Sequence, residues 1–266
     1  MKSHFAVIGN PISHSLSPRI HQYFAEQFEI SLVYETIQAE EISFEKIVFD
    51  FFKQGGKGLN ITIPFKQHAF EISQIRTARC QQAKAANTLW MNKGQLHADT
   101  TDGIGLIRDL SHHLSLNGKQ VLLLGAGGAA RGIIAPLLEA QVKDLTIVNR
   151  NLEKAQALQL DFPPILCRTL HKQHPCYDLL INATSASLTD ASFSLPSLLL
   201  KSSSFCYDLV YSIEANTRFT TWAQQQGCKT SDGLGMLVEQ AAEAFYIWHG
   251  LMPDITSVMR QFRRNL

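Results

Sequence analysis

Short apolar runs alternate with stretches of helical periodicity from the start of the chain. Residues 5–8 are all apolar and predict a buried strand, and residues 33–37 predict a second strand because apolar and polar positions alternate there. Between them Ile20, Phe24 and Phe28 recur at helical spacing, so we expect an amphipathic helix. Strand, helix and strand in this order are typical of a parallel α/β layer.

The first hundred residues continue this alternation. The next apolar stripe predicts a helix and consists of Phe44, Ile47, Val48 and Phe51. A third strand is predicted from the alternation of apolar Leu59, Ile61 and Ile63 with polar Asn60 and Thr62. The turn-forming residues 92–94 indicate a hairpin that joins strands at 88–91 and 95–98.

After Gly105 the pattern begins again and predicts a second α/β region that ends near Gly233. Its strands are predicted at 121–124, 145–148, near 165, 178–181 and 205–210. Helices are predicted from the end of the first of these strands to about residue 140, and over 152–160, 237–248 and about 255–263. The last two helices follow the second region as a pair.

Composition narrows the class of protein. Of 266 residues, 45% are apolar and 18% are charged, which is typical of a globular protein of about two domains. The net charge of +1 argues against a nucleic-acid-binding surface, and no apolar run is long enough for a membrane span. The five cysteines include no CxxC pair and predict no disulfide framework. We therefore expect a cytoplasmic protein with a small-molecule ligand and neither a nucleic-acid nor a membrane partner.

A glycine-rich loop follows the strand at 121–124 and opens a helix. Its residues are Gly125, Ala126, Gly127, Gly128 and Ala129, and Ala130 stands where a third glycine is usual. Glycines let the backbone approach a pyrophosphate, and the helix N-terminus offers unpaired N–H groups to it. We interpret the loop as a dinucleotide site, with a plain tight turn as the alternative.

The residues after the next strand indicate which dinucleotide the loop would bind, NAD or NADP. An acidic residue there would accept a hydrogen bond from the ribose of NAD, but this chain has Asn149 and Arg150, with Lys154 one turn later. A guanidinium pairs well with a 2′-phosphate, so the residues favour NADP(H). The alternative is a solvated surface arginine, although the helix dipole disfavours a cation at a helix start.

Polar residues cluster in the first region as well. They are Ser15, Ser17, Thr62, Lys66, Asn87 and Asp102. The plain interpretation of Ser17, which precedes a proline and a helix, is an N-cap, though a hydroxyl there can also meet a carboxylate. Lys66 is predicted at the start of a helix, and a surface lysine is its alternative. Gln240 lies on an apolar stripe and needs a partner, either a substrate hydroxyl or a buried backbone group.

One group of residues has the chemistry of metal ligands. Cys167, His171, His174 and Cys176 fall close together, but their spacing is short for a structural zinc site, and no HExxH motif occurs. We expect no metal.

The motifs together resemble those of the shikimate dehydrogenase family, in the family's order and over nearly the whole chain. They are Ser15-x-Ser17-Pro18, Asn60-x-Thr62-x-Pro64-x-Lys66, Ala86-Asn87-Thr88, Thr101-Asp102-Gly103, the loop at 125–131, Asn149-Arg150, Asn182-Ala183-Thr184-Ser185, Asp208-x-x-Tyr211 and Asp232-Gly233-x-Gly235-Met236 with Gln240. The resemblance implies two α/β domains with a cleft between them. A discontinuous substrate domain would comprise 1–101 and 237–266, and a Rossmann-like NADP domain 102–236.

The resemblance also implies an activity. The family reduces 3-dehydroshikimate to shikimate with NADPH in the aromatic amino-acid pathway, and Lys66 and Asp102 match its catalytic pair. Substrate ligands would be Ser15, Ser17, Thr62, Asn87, Tyr211 and Gln240. Cofactor ligands would be the loop residues 125–129 with Asn149, Arg150, Lys154, Thr184, Gly233 and Met236. Ser187 and Gln22 depart from the usual motifs, which leaves fine geometry open.

Three alternatives stay open. They are a quinate/shikimate enzyme of broader specificity, a non-catalytic NADP-responsive binding protein, and an enzyme similar to methylene-tetrahydrofolate dehydrogenase. The joint presence of Lys66 and Asp102 weighs against the second, and the two serines weigh against the third. The sequence leaves the choice between a monomer and a homodimer open.

Overall fold

The computed structural model describes residues 2–169, 175–184, 195–196, 199–213 and 216–263. The chain divides into two compact units. The first contains the residues up to Gly105 together with Val238–Gln261, and the second contains Leu106–Leu237 together with Phe262. Asp102 therefore lies in the first unit, with Lys66.

Strands and helices alternate in the first unit. In chain order they are β1 (Ser3–Gly9), α1 (Ser17–Gln27), β2 (Leu32–Gln38), α2 (Phe44–Lys53), β3 (Gly58–Ile61), α3 (Lys66–Ile72), β4 (Ile75–Arg76), α4 (Ala78–Ala83), β5 (Thr88–Asn92) and β6 (Gln95–Asp99). The sheet has the order β2-β1-β3-β5-β6-β4. The predicted parallel layer holds for β1, β2 and β3. The predicted hairpin is confirmed, because β5 runs antiparallel to β6, and β5 is also antiparallel to β3.

The third strand is shorter than the alternation predicted. β3 ends at Ile61, and Ile63 is exposed. The chain turns there because the Phe65 N–H donates back to the Thr62 carbonyl oxygen at 3.0 Å. The turn places Thr62 just after the strand end and starts α3 at Lys66.

The second unit is built on a parallel sheet. After α5 (Asp102–Ser111), which begins in the first unit, the elements are β7 (Gln120–Leu124), α6 (Gly128–Glu139), β8 (Asp144–Val148), α7 (Leu152–Asp161), β9 (Leu166–Arg168), β10 (Tyr177–Asn182), β11 (Leu200–Asp208), α8 (Arg218–Gln225) and β12 (Lys229–Ser231). The strand order is β12-β11-β10-β7-β8-β9, and every described pair is parallel.

Both faces of this sheet are covered. Val121 and Leu123 of β7 belong to one apolar cluster, whereas Leu122 and Leu124 belong to a second cluster with Phe219 of α8. Alternating side chains that are buried on both faces explain why β7 is a continuous apolar run. The strand order reverses at β7, because β8 and β9 lie on one side of it and β10, β11 and β12 on the other. In folds of this kind, ligands bind at such a reversal, beyond the carboxyl ends of the strands.

The C-terminal helices are α9 (Leu234–His249) and α10 (Ile255–Arg263). Within the first unit, Arg79 of α4 forms a two-pronged ion pair with Asp99 of β6, at 2.8 and 2.7 Å, and also contacts Glu243 of α9 at 3.1 Å. The Trp248 indole donates to the Leu89 carbonyl oxygen at 3.2 Å. These contacts attach α9 to the sheet of the first unit. No helix in the described ranges is both long and apolar enough to cross a membrane.

Arg79→Met should destabilise the protein. The change leaves the buried carboxylates of Asp99 and Glu243 without their shared cation. Loss of one partner from a buried ion pair is costly, and a third of the Arg79 side chain is exposed. We expect a loss of about 2–3 kcal/mol in the free energy of unfolding, measured by denaturant titration.

The matched control is Lys46→Met, which removes an exposed i,i+4 pair with Asp50. It should cost less than about 0.5 kcal/mol, as exposed pairs do. Equal losses in the two variants would contradict the role given to Arg79.

Candidate functional site

A largely buried ion pair is the most distinctive chemical feature of the first unit. Lys66 Nζ lies 2.7 Å from Asp102 Oδ2, and the side chains are only 13% and 7% exposed. The alternative of a surface lysine is therefore wrong. The turn after β3 carries Lys66 to this position at the first residue of α3, while Asp102 is the first residue of α5. The pair can hold a proton donor out of bulk water.

Asn87 adjoins this pair and is buried. Its Nδ2 lies 2.9 Å from Thr101 Oγ1, 3.0 Å from Asp102 Oδ1 and 3.2 Å from Gln240 Oε1. An amide nitrogen has two hydrogens, so it cannot serve three acceptors at once. The contact with Gln240 is the longest of the three. Gln240 Oε1 also accepts from the Thr101 hydroxyl at 3.3 Å, so Asn87, Thr101 and Gln240 form one polar cluster beside the ion pair.

The two serines lie at the start of α1. The prediction of Ser17 as the N-cap is wrong, because the helix begins at Ser17 itself and Leu16 holds the cap position without a side-chain bond. Ser15 Oγ instead accepts a hydrogen bond from the Ser17 N–H at 3.3 Å. Two hydroxyl groups therefore lie beside the positive end of the helix dipole. Gln22, one of the two departures, is exposed and donates to Glu26; the other, Ser187, lies outside the described residues.

Sequence reasoning missed three members of this region. The Tyr34 hydroxyl donates to Asn60 Oδ1 at 2.7 Å, and Asn60 Nδ2 donates to the Asn87 carbonyl oxygen at 3.1 Å. The His21 ring stacks on Tyr34 at 4.4 Å between centroids. A signal existed for Asn60, a polar residue in an otherwise apolar strand. Nothing in the pattern indicated that Tyr34 and His21 would meet.

The glycine-rich loop joins three strand ends in the second unit. Gly125 has φ +107°, which is strained for other residues, and a Cβ there would lie 3.0 Å from the Ala183 carbonyl oxygen. Its N–H donates to the Val148 carbonyl oxygen at 2.8 Å, at the end of β8. Gly127 is the N-cap of α6, and the space where its Cβ would stand is open. The loop thus leaves room for a ligand at the helix N-terminus.

Beyond β8, the Asn149 amide donates to the Asn151 carbonyl oxygen at 2.7 Å, and Asn151 caps α7. Arg150 and Lys154 are exposed beside this helix start. Neither side chain forms an ion pair with the rest of the chain as far as the structure describes it. Two cations that the fold leaves unneutralised near a helix N-terminus are suited to an anionic ligand.

A buried network fixes the loop that follows β10. Asn182 Oδ1 accepts from the Thr184 backbone N–H and hydroxyl, at 3.1 and 2.7 Å, and Asn182 Nδ2 donates to Asp208 at 2.9 Å. Thr184 is thereby held next to Gly125. Gly233 comes so close to Leu209 that a Cβ would lie 2.2 Å from the Leu209 carbonyl oxygen.

The remaining predicted residues also lie in the second unit. Tyr211 follows β11, and Met236 is buried near the start of α9. In the described part of the chain, no group of three or more His, Cys, Asp or Glu side chains is arranged to hold a metal ion. His171 and His174, which the sequence analysis considered as possible metal ligands, lie outside that part.

Comparison with known proteins identifies the family. The model of the shikimate dehydrogenase substrate binding domain matches residues 7–89, that of shikimate / quinate 5-dehydrogenase matches 108–190, and that of the shikimate 5′-dehydrogenase C-terminal domain matches 233–261. A shikimate dehydrogenase (NADP(+)) of Legionella pneumophila (strain Lens) is 55% identical over 263 residues, 99% of each chain. The chain belongs to the shikimate dehydrogenase family. The expectation from its motifs is confirmed.

Solved structures of the family share this fold. Shikimate 5-dehydrogenase of Thermus thermophilus, in complex with NADP(H) and shikimate, has a TM-score of 0.90 and 33% identity, with 99% of this chain and 100% of that chain covered. The predicted α/β fold is confirmed. A 5-ketofructose reductase of a Gluconobacter species also matches, with a TM-score of 0.86, 26% identity and coverage of 100% and 99%. The fold alone therefore does not fix the substrate.

The protein should become less stable against unfolding as the pH is lowered, because His21 is buried. Burial, and then the charge of His249, lower the pKa of His21 from 6.5 to about 3. The folded protein keeps this ring neutral, whereas the unfolded chain binds a proton below about pH 6.5, so stability is lost as the pH falls from 6.5 towards 3. Between pH 7 and 5, the free energy of unfolding should fall by about 1–2 kcal/mol more in the unmodified protein than in His21→Phe.

Urea titrations at the two pH values measure this difference. His14→Gln, which changes an exposed histidine, should keep the pH dependence of the unmodified protein. The same dependence in His21→Phe would show that His21 is not the group responsible.

Proposed function

We propose that the protein is an NADP-dependent shikimate dehydrogenase, an oxidoreductase that reversibly reduces 3-dehydroshikimate to shikimate in the aromatic amino-acid pathway. The observation that carries the proposal is the largely buried Lys66–Asp102 pair, with Asn87 and Gln240 beside it, in a chain 55% identical to a curated shikimate dehydrogenase over 99% of its length. The five free cysteines support a reducing, cytoplasmic setting.

The substrate is an acid with several hydroxyl groups, and the first unit supplies groups of matching chemistry. Ser15 and Ser17 would donate to the carboxylate beside the N-terminus of α1. Thr62, Asn87 and Gln240 would hold the ring hydroxyls. Tyr211, from the second unit, would contact the substrate's edge. The Asn87 amide nitrogen has two hydrogens but three oxygen atoms within hydrogen-bond distance, so one of these contacts can give way to a substrate hydroxyl.

Reduction of a ketone needs a hydride at carbon and a proton at oxygen. The nicotinamide of bound NADPH supplies the hydride. Lysine side chains are protonated at neutral pH, so Lys66 would donate the proton to the forming alkoxide. Asp102 would hold the ammonium in place through the 2.7 Å contact and balance its charge. In the reverse direction Lys66 would take the hydroxyl proton.

The second unit has the features that NADP(H) needs. The residues 125–129 would meet the pyrophosphate at the open N-terminus of α6, where Gly127 leaves room. Asn149, Arg150 and Lys154 would bind the adenosine end, with the two exposed cations on the 2′-phosphate. Thr184, Gly233 and Met236 would lie at the nicotinamide end.

Quinate is the competing substrate, since the model that matches residues 108–190 describes shikimate and quinate enzymes together. Quinate carries an extra hydroxyl on the carbon that bears its carboxylate, which would need room and a partner next to Ser15 and Ser17. We expect NADP⁺ reduction with shikimate to exceed that with quinate at least about tenfold in kcat/KM. Comparable values would indicate a quinate/shikimate dehydrogenase, and no turnover of either acid would overturn the proposal.

Lys66→Met should lower kcat at least about 100-fold, because the proton donor is lost while the binding groups remain. KM for shikimate should change much less. Lys53→Met, which changes an exposed lysine of α2, is the matched control and should leave both constants unchanged. Steady-state kinetics measure the split, and a near-normal kcat in Lys66→Met would remove Lys66 from the catalytic role.

Arg150→Ala should raise KM for NADPH about tenfold to a hundredfold, since a charge-assisted hydrogen bond contributes roughly 1.5–3 kcal/mol. KM for NADH, which lacks the 2′-phosphate, should change little. NADH thus serves as the internal control in the same assay. Equal effects on the two cofactors would show that Arg150 acts on the fold and not on the phosphate.

A further inference from the structure

Tyr34 begins a series of hydrogen bonds inside the first unit. Its hydroxyl donates to Asn60 Oδ1 at 2.7 Å. Asn60 Nδ2 donates in turn to the Asn87 carbonyl oxygen at 3.1 Å and to Thr88 Oγ1 at 3.2 Å. Tyr34 lies on β2, Asn60 on β3 and Thr88 on β5, so the series crosses the sheet from its edge strand inwards.

The series continues to the catalytic pair. The Thr88 hydroxyl donates to Asn87 Oδ1 at 2.9 Å, and Asn87 Nδ2 donates to Asp102 Oδ1 at 3.0 Å. The other carboxylate oxygen of Asp102 accepts from Lys66. Asn60, Thr88, Asn87 and Asp102 are all buried. The Tyr34 hydroxyl is therefore connected to Asp102 through three side chains that are shielded from water.

Two backbone groups fix the direction of the series. The Thr101 backbone N–H donates to Asn87 Oδ1 at 2.9 Å, and a backbone N–H can only donate. The Asn87 carbonyl oxygen can only accept, so the Asn60 amide must turn its NH2 group towards it. Asn60 Oδ1 is then the end that needs a donor, and the Tyr34 hydroxyl supplies its proton there.

Tyr34 also packs against His21 of α1. Burial raises the pKa of the Tyr34 phenol well above its ordinary value. The His21 ring, which stacks on Tyr34, interacts with Asn60 as well. Tyr34 therefore lies between α1, the helix that begins at Ser17, and the amides that lead to Asn87.

We propose that Tyr34 is a positioning residue of the substrate site: its hydroxyl holds the Asn60 amide in the orientation that the backbone sets and, through Thr88, supports the Asn87 amide that meets a substrate hydroxyl. This role rests on the proposed function, because it requires shikimate to bind at Asn87. Tyr34 acts on the binding groups and not on the reacting atoms. Lys66 bonds to the carboxylate oxygen of Asp102 that Asn87 does not contact, so loss of the Tyr34 hydroxyl should affect KM and spare kcat.

Tyr34→Phe tests the role, since it removes the hydroxyl and keeps the ring stacked on His21. We expect KM for shikimate to rise at least about fivefold, the size of one lost buried hydrogen bond. The kcat value should stay within about twofold, and KM for NADP⁺ should not change. A purely structural role would lower the melting temperature or the active fraction, and hence kcat, without moving KM. A KM for shikimate within twofold of normal would overturn the proposal.

A double-mutant cycle tests the connection itself. Thr88→Val interrupts the series closer to Asp102 and should also raise KM for shikimate on its own. Tyr34→Phe combined with Thr88→Val should raise KM by less than the product of the two single effects, because both changes break one series. A KM equal to that product, or an unchanged KM in Thr88→Val, would overturn the proposal independently of how well Tyr34→Phe folds.

The matched control is Tyr177→Phe, which removes a hydroxyl from a buried tyrosine of the second unit. Tyr177→Phe alone should leave KM for shikimate unchanged. Combined with Thr88→Val, it should give the same KM as Thr88→Val alone. The unmodified protein is assayed alongside. If it fails to oxidise shikimate, the proposed function and the role of Tyr34 both fall, whereas an active protein with a normal KM in Tyr34→Phe overturns the role of Tyr34 alone.

Discussion

The first unit is arranged around the contact between Lys66 and Asp102, because the two charges need partners that come from several of its elements. Two charges removed from water are tolerable only when they face one another and their remaining lone pairs are bonded. Asp102 meets that condition through Lys66 on one oxygen and Asn87 on the other. The turn after β3, the hairpin of β5 and β6, and the Gln240 segment of α9 are what bring these groups to one place. The sheet provides the rigid support that such a pair needs.

The two units meet their ligands with different chemistry. The first uses buried side chains whose hydrogen bonds are already formed among themselves, so a ligand exchanges bonds with a prepared set. The second uses backbone freedom and exposed charge: the left-handed conformation of Gly125, the open space at Gly127 and the two cations after β8. An acid with hydroxyl groups suits the first kind of surface, and a phosphorylated dinucleotide suits the second.

The local pattern of apolar and polar residues was enough to predict most helices and strands, and the motifs were enough to predict the family. The apolar run that became β7 and the glycines after it predict a strand, a loop and a helix, because each depends on neighbours in sequence. Sequence reasoning failed where distant residues decide. Ser17 does not cap α1, and the bonds of Tyr34 and Asn60 arise from strand neighbours that periodicity does not specify. The burial of Lys66 likewise depends on Asp102, thirty-six positions further along the chain.

The discontinuity of the first unit has a consequence for the order of folding during synthesis. Val238–Gln261 complete that unit through Glu243 and Trp248, yet they leave the ribosome after all of Leu106–Leu237. Except for Phe262, the second unit is continuous in sequence and can form as soon as its own residues have emerged. The sheet of the first unit, although synthesised first, waits for α9 before Arg79 and Asn87 obtain their last partners. The unit at the start of the chain is therefore completed only after the continuous segment of the second unit has been made.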